Sequence, residues 1–170
     1  MKRVAMMLML LVLCGCQATG DWSASVLTDV KTSMVEGRVS REIDANWSAG
    51  LLATWFPEDA VEPHQDWGAG GFVKYIVNPD ATVPFAKWFP WVGTWLELPE
   101  SISAQTYMIA KLQALPYSGG VDVEGSPGVG ATVGPMFLEY TYAIIESGDA
   151  DTPEVSSGST LWVGVTPIRF

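Results

Sequence analysis

Cysteine occurs only at positions 14 and 16 of the 170 residues, and histidine only at His64. That scarcity excludes a disulfide framework and the Cys/His ligand sets of structural zinc sites. Basic side chains are also few, with nine Lys and Arg against nineteen Asp and Glu and a net charge of −10. A surface of that sign has no counterion-releasing basic patch, which argues against nucleic acid as a partner. No apolar run reaches the ~20 residues that a membrane-crossing helix needs. Internal repeats and long amphipathic helical periods are missing too.

The first residues carry an export pattern. Lys2 and Arg3 give a basic start, Val4 to Leu13 form an apolar run, and small residues follow. This is the order of a secretory signal. The run closes on Leu13-Cys14-Gly15-Cys16, which resembles a bacterial lipobox, with Leu13, Gly15 and Cys16 at the matching positions. The resemblance implies a lipoprotein-type signal over 1–15, removed so that Cys16 becomes the diacylated first residue, with palmitate-type chains as a membrane anchor. Residues 16–21 would then be a short tether and 22–170 the folded domain. Gln17 after the cysteine implies sorting to the outer membrane. Two or three acyl chains, at ~0.8 kcal/mol per buried CH₂, anchor stably. The alternative is ordinary cleavage after Ala18, because Cys16-Gln17-Ala18 satisfies a small-x-small rule. In either case both cysteines fall in the signal region.

Tryptophan and glycine are abundant, at eight and seventeen, and apolar residues recur with a period of two. Trp22, Ala24, Val26, Thr28 and Val30 alternate with polar neighbours, Leu27 breaking the polar side. Val35, Val39, Ile43, Ala45, Trp47, Ala49, Leu51 and Trp55 alternate with Glu36, Arg38, Ser40, Glu42, Asp44, Asn46 and Ser48. Arg41 is the misfit, and the length of this run places a turn at Asp44-Ala45-Asn46. Ala69, Val73, Tyr75 and Val77 mark a further strand, closed by Asn78-Pro79-Asp80. Residues 87–98 form an aromatic-rich segment, which Pro90 confines to an edge or bulge at its start. Ala104, Thr106, Met108, Ala110, Leu112 and Ala114 oppose Gln105, Lys111 and Gln113. Pro116 to Pro127 reads as a Gly-rich connection, and 129–146 as strand on both sides of Gly134-Pro135. The acidic stretch 147–158 reads as a loop, and Thr160 to Phe170 as a final strand. The pattern predicts an all-β fold, an antiparallel up-and-down β-barrel of about eight strands.

The closing strand, with Ile168 and Phe170 two places apart, resembles the C-terminal signature of outer-membrane β-barrels that the insertion machinery reads. Pro167 interrupts the period in this strand, and Gly164 lies one position off the family's glycine. The resemblance implies transmembrane β-strands, with apolar side chains toward lipid and polar ones toward the lumen. In a barrel of about eight strands, enclosed Glu, Arg, Lys and Gln pair with one another rather than line a pore.

Chemistry-bearing motifs are sparse. His64 resembles the histidine of barrel-shaped lipid A deacylases and palmitoyl transferases, but no serine is close in sequence, and it reads as a solvated loop residue. Gly125-Ser126-Pro127-Gly128 lacks the pattern of a nucleophile elbow and reads as a turn. Asp149, Asp151 and Glu154 lack the spacing of a calcium loop. Gly20-Asp21-Trp22, echoed by Gly93-Thr94-Trp95, resembles the Gly-x-Trp of lipocalins, which implies a lipid-anchored carrier with its ligand in the barrel mouth. The leading expectation is a non-catalytic outer-membrane barrel lipoprotein of structural or surface-interaction type, without cofactor or metal. Its partners would be membrane lipid through Cys16, the insertion machinery and an envelope or surface protein. The carrier and the lipid A-modifying enzyme are the alternatives.

Overall fold

The computed structural model describes residues 21–57, 67–84, 101–117, 120–146 and 155–169. Nine strands make up the described fold: β1 (Trp22–Asp29), β2 (Val35–Glu42), β3 (Trp47–Trp55), β4 (Trp67–Ile76), β5 (Thr82–Val83), β6 (Ile102–Tyr117), β7 (Gly120–Val133), β8 (Met136–Glu146) and β9 (Val155–Arg169). Every pairing is antiparallel. β1 pairs with β9 and β4 with β6, so eight strands close into an up-and-down barrel. The two-residue β5 lies beside the start of β6 as a small appendage. Closure leaves the eight barrel strands without an edge.

Both chain ends of the barrel, Trp22 and Arg169, lie at one rim, here called the terminal rim. The hairpins at 43–46 and 134–135 turn there as well. The β2–β3 turn falls where the alternation demanded one. Asp44 Oδ1 accepts from the amides of Asn46 and Trp47, each at 2.8 Å, as a short acid does in a tight turn. The β7–β8 turn uses Gly134 at φ +58°, a left-handed conformation open to glycine at little cost. At the opposite, far rim, Asp29 Oδ2 accepts the Lys31 amide at 3.1 Å and ties the β1–β2 turn.

Two sequence expectations are corrected. The stretch 147–158 is not loop to its end, because β9 begins at Val155 and pairs with β8 from there. Pro116 to Pro127 is not a connection: β6 runs on to Tyr117, β7 begins at Gly120, and only 118–119 separate them. Gly125, one of the glycines that suggested a loop, has nothing within 4 Å of where a Cβ would stand; close approach between neighbours governs glycines elsewhere in the sheet. Gly130 lies opposite Tyr107, and a Cβ there would sit 2.3 Å from a ring carbon of that tyrosine. Gly164 gives Phe137 the same room, with 2.5 Å to its ring. Pro127 faces outward, and the β7–β8 ladder lacks pairs at Ser126 and Pro127, as a residue without an N–H dictates. Pro167 is accommodated likewise. The β1–β9 register shifts between the Val26–Val165 and Ala24–Ile168 pairs, giving β9 an extra residue around Thr166 and Pro167.

The two faces of the barrel are chemically opposite. Outward positions are apolar and exposed: Leu51 at 73 %, Leu112 at 62 %, with Val73, Val129, Leu138 and Tyr140 beside them. Inward positions hold Glu36, Arg38, Lys111, Gln113, Glu139 and Thr141, all buried. Two small apolar clusters complete the filling, one of Leu52, Phe72, Tyr107 and Ile109, the other of Leu27, Phe137 and Trp162. A water-soluble protein puts this contrast the other way round.

Candidate functional site

The inward face of β2 carries Glu36 and Arg38 two residues apart, so the period of two aims both into the barrel. From across the interior come Lys111 on β6 and Glu139 on β8. These four charges form one cross-barrel cluster. Arg38 grips Glu139 with both terminal nitrogens, at 2.8 and 2.6 Å, and its Nε donates to Glu36. Lys111 Nζ lies 3.2 Å from Glu36 and 3.1 Å from Glu139. Tyr107 donates its hydroxyl to Glu139 at 3.0 Å. All four charged side chains are buried, and their charges cancel.

Aromatic rings enclose the cations. The Arg38 guanidinium lies 5.2 Å from the Phe72 ring and 5.9 Å from that of Phe137, while Lys111 Nζ lies 4.6 Å from Trp162. Nearer the terminal rim, Lys74 lies 4.4 Å from the Tyr107 ring. A lone charge moved from water into this interior costs several kcal/mol, recovered only if paired and fully hydrogen-bonded. Among the described residues, no buried side-chain nitrogen or oxygen lacks a partner. The cluster therefore works as a cross-brace that fills the lumen instead of lining a channel.

Toward the far rim the donors of the network become neutral side chains, and the interior then opens. Thr54 donates to Gln113 Oε1 at 3.0 Å, with Glu36 Oε2 at 3.3 Å; Gln113 Nε2 donates to Glu124 at 2.7 Å, and Ser126 donates to the same carboxylate. Trp162 Nε1 donates to Thr141 at 3.0 Å. Above them lies a cavity of about 220 Å³. Its walls are Met34, Phe56, Leu115, Ile145 and Trp162, and Thr54, Gln113, Glu124 and Thr141 give it polar groups.

On the outside, aromatic side chains mark two levels. Trp47 and Tyr75 are paired near the terminal rim, ring centroids 4.9 Å apart, and Trp55 pairs with Trp67 near the far rim. Arg41, the misfit of the sequence pattern, points outward at the terminal rim, 5.9 Å from the Trp22 ring. β3 spans Trp47–Trp55 in nine residues. At ~3.3 Å per residue and the ~40° tilt usual for such barrels, its ends stand about 20 Å apart along the axis.

The sequence motifs meet the fold unevenly. Cys16, His64, Phe170, the acidic set Asp149, Asp151 and Glu154, the Gly93-Thr94-Trp95 tripeptide and the aromatic-rich 87–98 segment lie outside the described residues. Ile168 is in β9, opposite Ala24 of β1. Ser126 lies inside β7, buried and bonded to Glu124, so its segment is strand and not the turn expected. Among the described residues no group of three His, Cys, Asp or Glu could hold a metal ion. The enclosed charges were legible from the alternation. Their partners were not: Arg38 and Glu139 stand 101 positions apart. Comparison of the chain with protein-family models, curated proteins and solved structures finds no match.

Proposed function

We propose that this chain is a lipid-anchored barrel of the bacterial outer membrane, with a structural or surface-interaction role and no catalysis. The observation that carries the reading is the inverted partition: an apolar outer wall around a charged, satisfied interior. In water, the exposed face of β3 and β6 would cost roughly 25 cal/mol for each Å² of apolar surface left wet; against acyl chains that penalty disappears. The spacing of the Trp47/Tyr75 and Trp55/Trp67 pairs, about 20 Å, is close to the ~25 Å apolar band of membrane barrels, and tryptophan and tyrosine favour the interfaces that bound it. Arg41 is tolerated outward because it sits at that interface, where its charge reaches water.

The carrier reading asks for an apolar interior and a polar exterior, the reverse of the arrangement here. The cross-brace argues against a pore. The enzyme reading rests on His64, and Ser126, the buried serine of the motif, has a carboxylate for its partner instead of an imidazole. In the proposed orientation the terminal rim, where β1 starts six residues after Cys16 in the sequence, faces the periplasm and the far rim faces outward.

The test is Cys16→Ala. The variant is expected to lose acyl chains by mass spectrometry, yet to stay in the carbonate-washed membrane fraction with a heat-modifiable band. Full release into the soluble fraction would refute a spanning barrel.

A further inference from the structure

The far-rim cavity holds an acidic group that, among the described residues, meets no base. Glu124 is half-buried and accepts from two neutral donors, Gln113 and Ser126; among the described residues no cation pairs with it. A carboxylate has room for about four hydrogen bonds, so accepting capacity remains. The charges beneath cannot neutralise it, because Glu36, Glu139, Arg38 and Lys111 already cancel among themselves. Glu124 thus gives the vestibule a negative field, in surroundings of lower dielectric than water, where a unit charge acts more strongly.

The walls define what kind of cation fits. Hard metal ions want about six oxygen ligands, carboxylates foremost, whereas Glu124 is the one carboxylate among the residues that line the cavity, and Met34, Phe56, Leu115 and Ile145 offer hydrocarbon. An organic ammonium needs one carboxylate for its head and apolar or aromatic surface for its body, and aromatic faces attract it further. The volume, about 220 Å³, falls just below the ~300 Å³ at which small-molecule pockets usually begin, which restricts the guest to one ring or a short chain.

We propose that the far-rim vestibule is a binding site for small amphipathic primary amines, the ammonium seated on Glu124 and the hydrocarbon against Leu115, Phe56 and Met34. The site goes beyond the structural role and does not depend on the membrane assignment, since it is a property of the barrel interior.

Benzylamine is the probe, and benzyl alcohol its neutral counterpart of nearly equal shape. The full chain, extracted in detergent and checked for its heat-modifiable folded band, is titrated calorimetrically with each. Saturable one-site binding of benzylamine is expected, with benzyl alcohol at least tenfold weaker. Glu124→Gln, which keeps an acceptor for Gln113 and Ser126, should weaken benzylamine at least tenfold. Ala143→Phe, which fills the vestibule from β8, should abolish binding while the folded band persists. The proposal is overturned if wild-type protein takes up no benzylamine, if amine and alcohol titrate alike, or if folded Glu124→Gln binds as wild type does. None of these results bears on membrane retention of Cys16→Ala, so the two readings fail separately.

Discussion

Replacing Arg38 by methionine removes one of two cations from a buried neutral quartet and leaves its volume nearly filled. Arg38 supplies three hydrogen bonds, one to Glu36 and two to Glu139. Without it, Lys111 alone faces both carboxylates, at 3.2 and 3.1 Å, and the interior carries a net negative charge. Breaking a buried pair from one side costs about 3–5 kcal/mol, because the abandoned partner stays desolvated. Set against a total stability of ~5–15 kcal/mol, that loss is large. Removing Glu139 as well restores neutrality, with Glu36 and Lys111 still paired. Arg38→Met/Glu139→Gln should therefore cost less than the two single changes summed, by about 2–3 kcal/mol of coupling. The assay is urea unfolding of the barrel in lipid vesicles, followed by tryptophan emission and the heat-modifiable band. An Arg38→Met barrel within about 1 kcal/mol of wild type, or strictly additive single changes, would refute the cross-brace.

The exterior and the glycine contacts give two more predictions. Leu51 lies midway along β3 between Trp47 and Trp55 and is 73 % exposed, so Leu51→Lys should cost about 2–4 kcal/mol in vesicles, as a charge at the bilayer midplane does; a neutral effect in the same urea titration would contradict lipid contact there. Gly130→Val must displace the Tyr107 ring and with it the hydroxyl bond to Glu139, costing about 1–3 kcal/mol. Gly125→Val, where nothing lies within 4 Å, should change the urea midpoint little.

The strands were legible wherever the outer face stays apolar at every second residue. β3 and β6 are the clearest cases, since their outward positions from Trp47 to Trp55 and from Met108 to Ala114 keep step although Leu52, Tyr107 and Ile109 put apolar side chains on the inner face, and Arg41 departs from the pattern only because it lies at a rim. The first part of β7 was hidden because Gly120, Gly125 and Gly128 read as loop punctuation beside Pro116 and Pro127. Gly128 stands where the backbone and Thr141 of β8 come close, a reason that exists only after two strands are paired. Leu27, which broke the polar side of its run, proves to be an inward residue 1 % exposed; small barrels fill their interior with whatever packs, so the inner face is less uniform than the outer. That Glu36, Arg38, Lys111 and Gln113 face inward followed from the period of two. Which base meets which acid depends on barrel closure, and so does the cavity beside Glu124, whose walls come from strands distant in sequence.

The central claim is that the outer wall touches acyl chains and the inner face does not. Nuclear Overhauser contacts in lipid nanodiscs test it most directly, with methyl-labelled leucines on both faces. The account predicts acyl-chain cross-peaks for Leu51, Leu112 and Leu138, and none for Leu27, Leu52 or Leu115. Water cross-peaks at Leu51, Leu112 and Leu138, in place of acyl-chain ones, would contradict it.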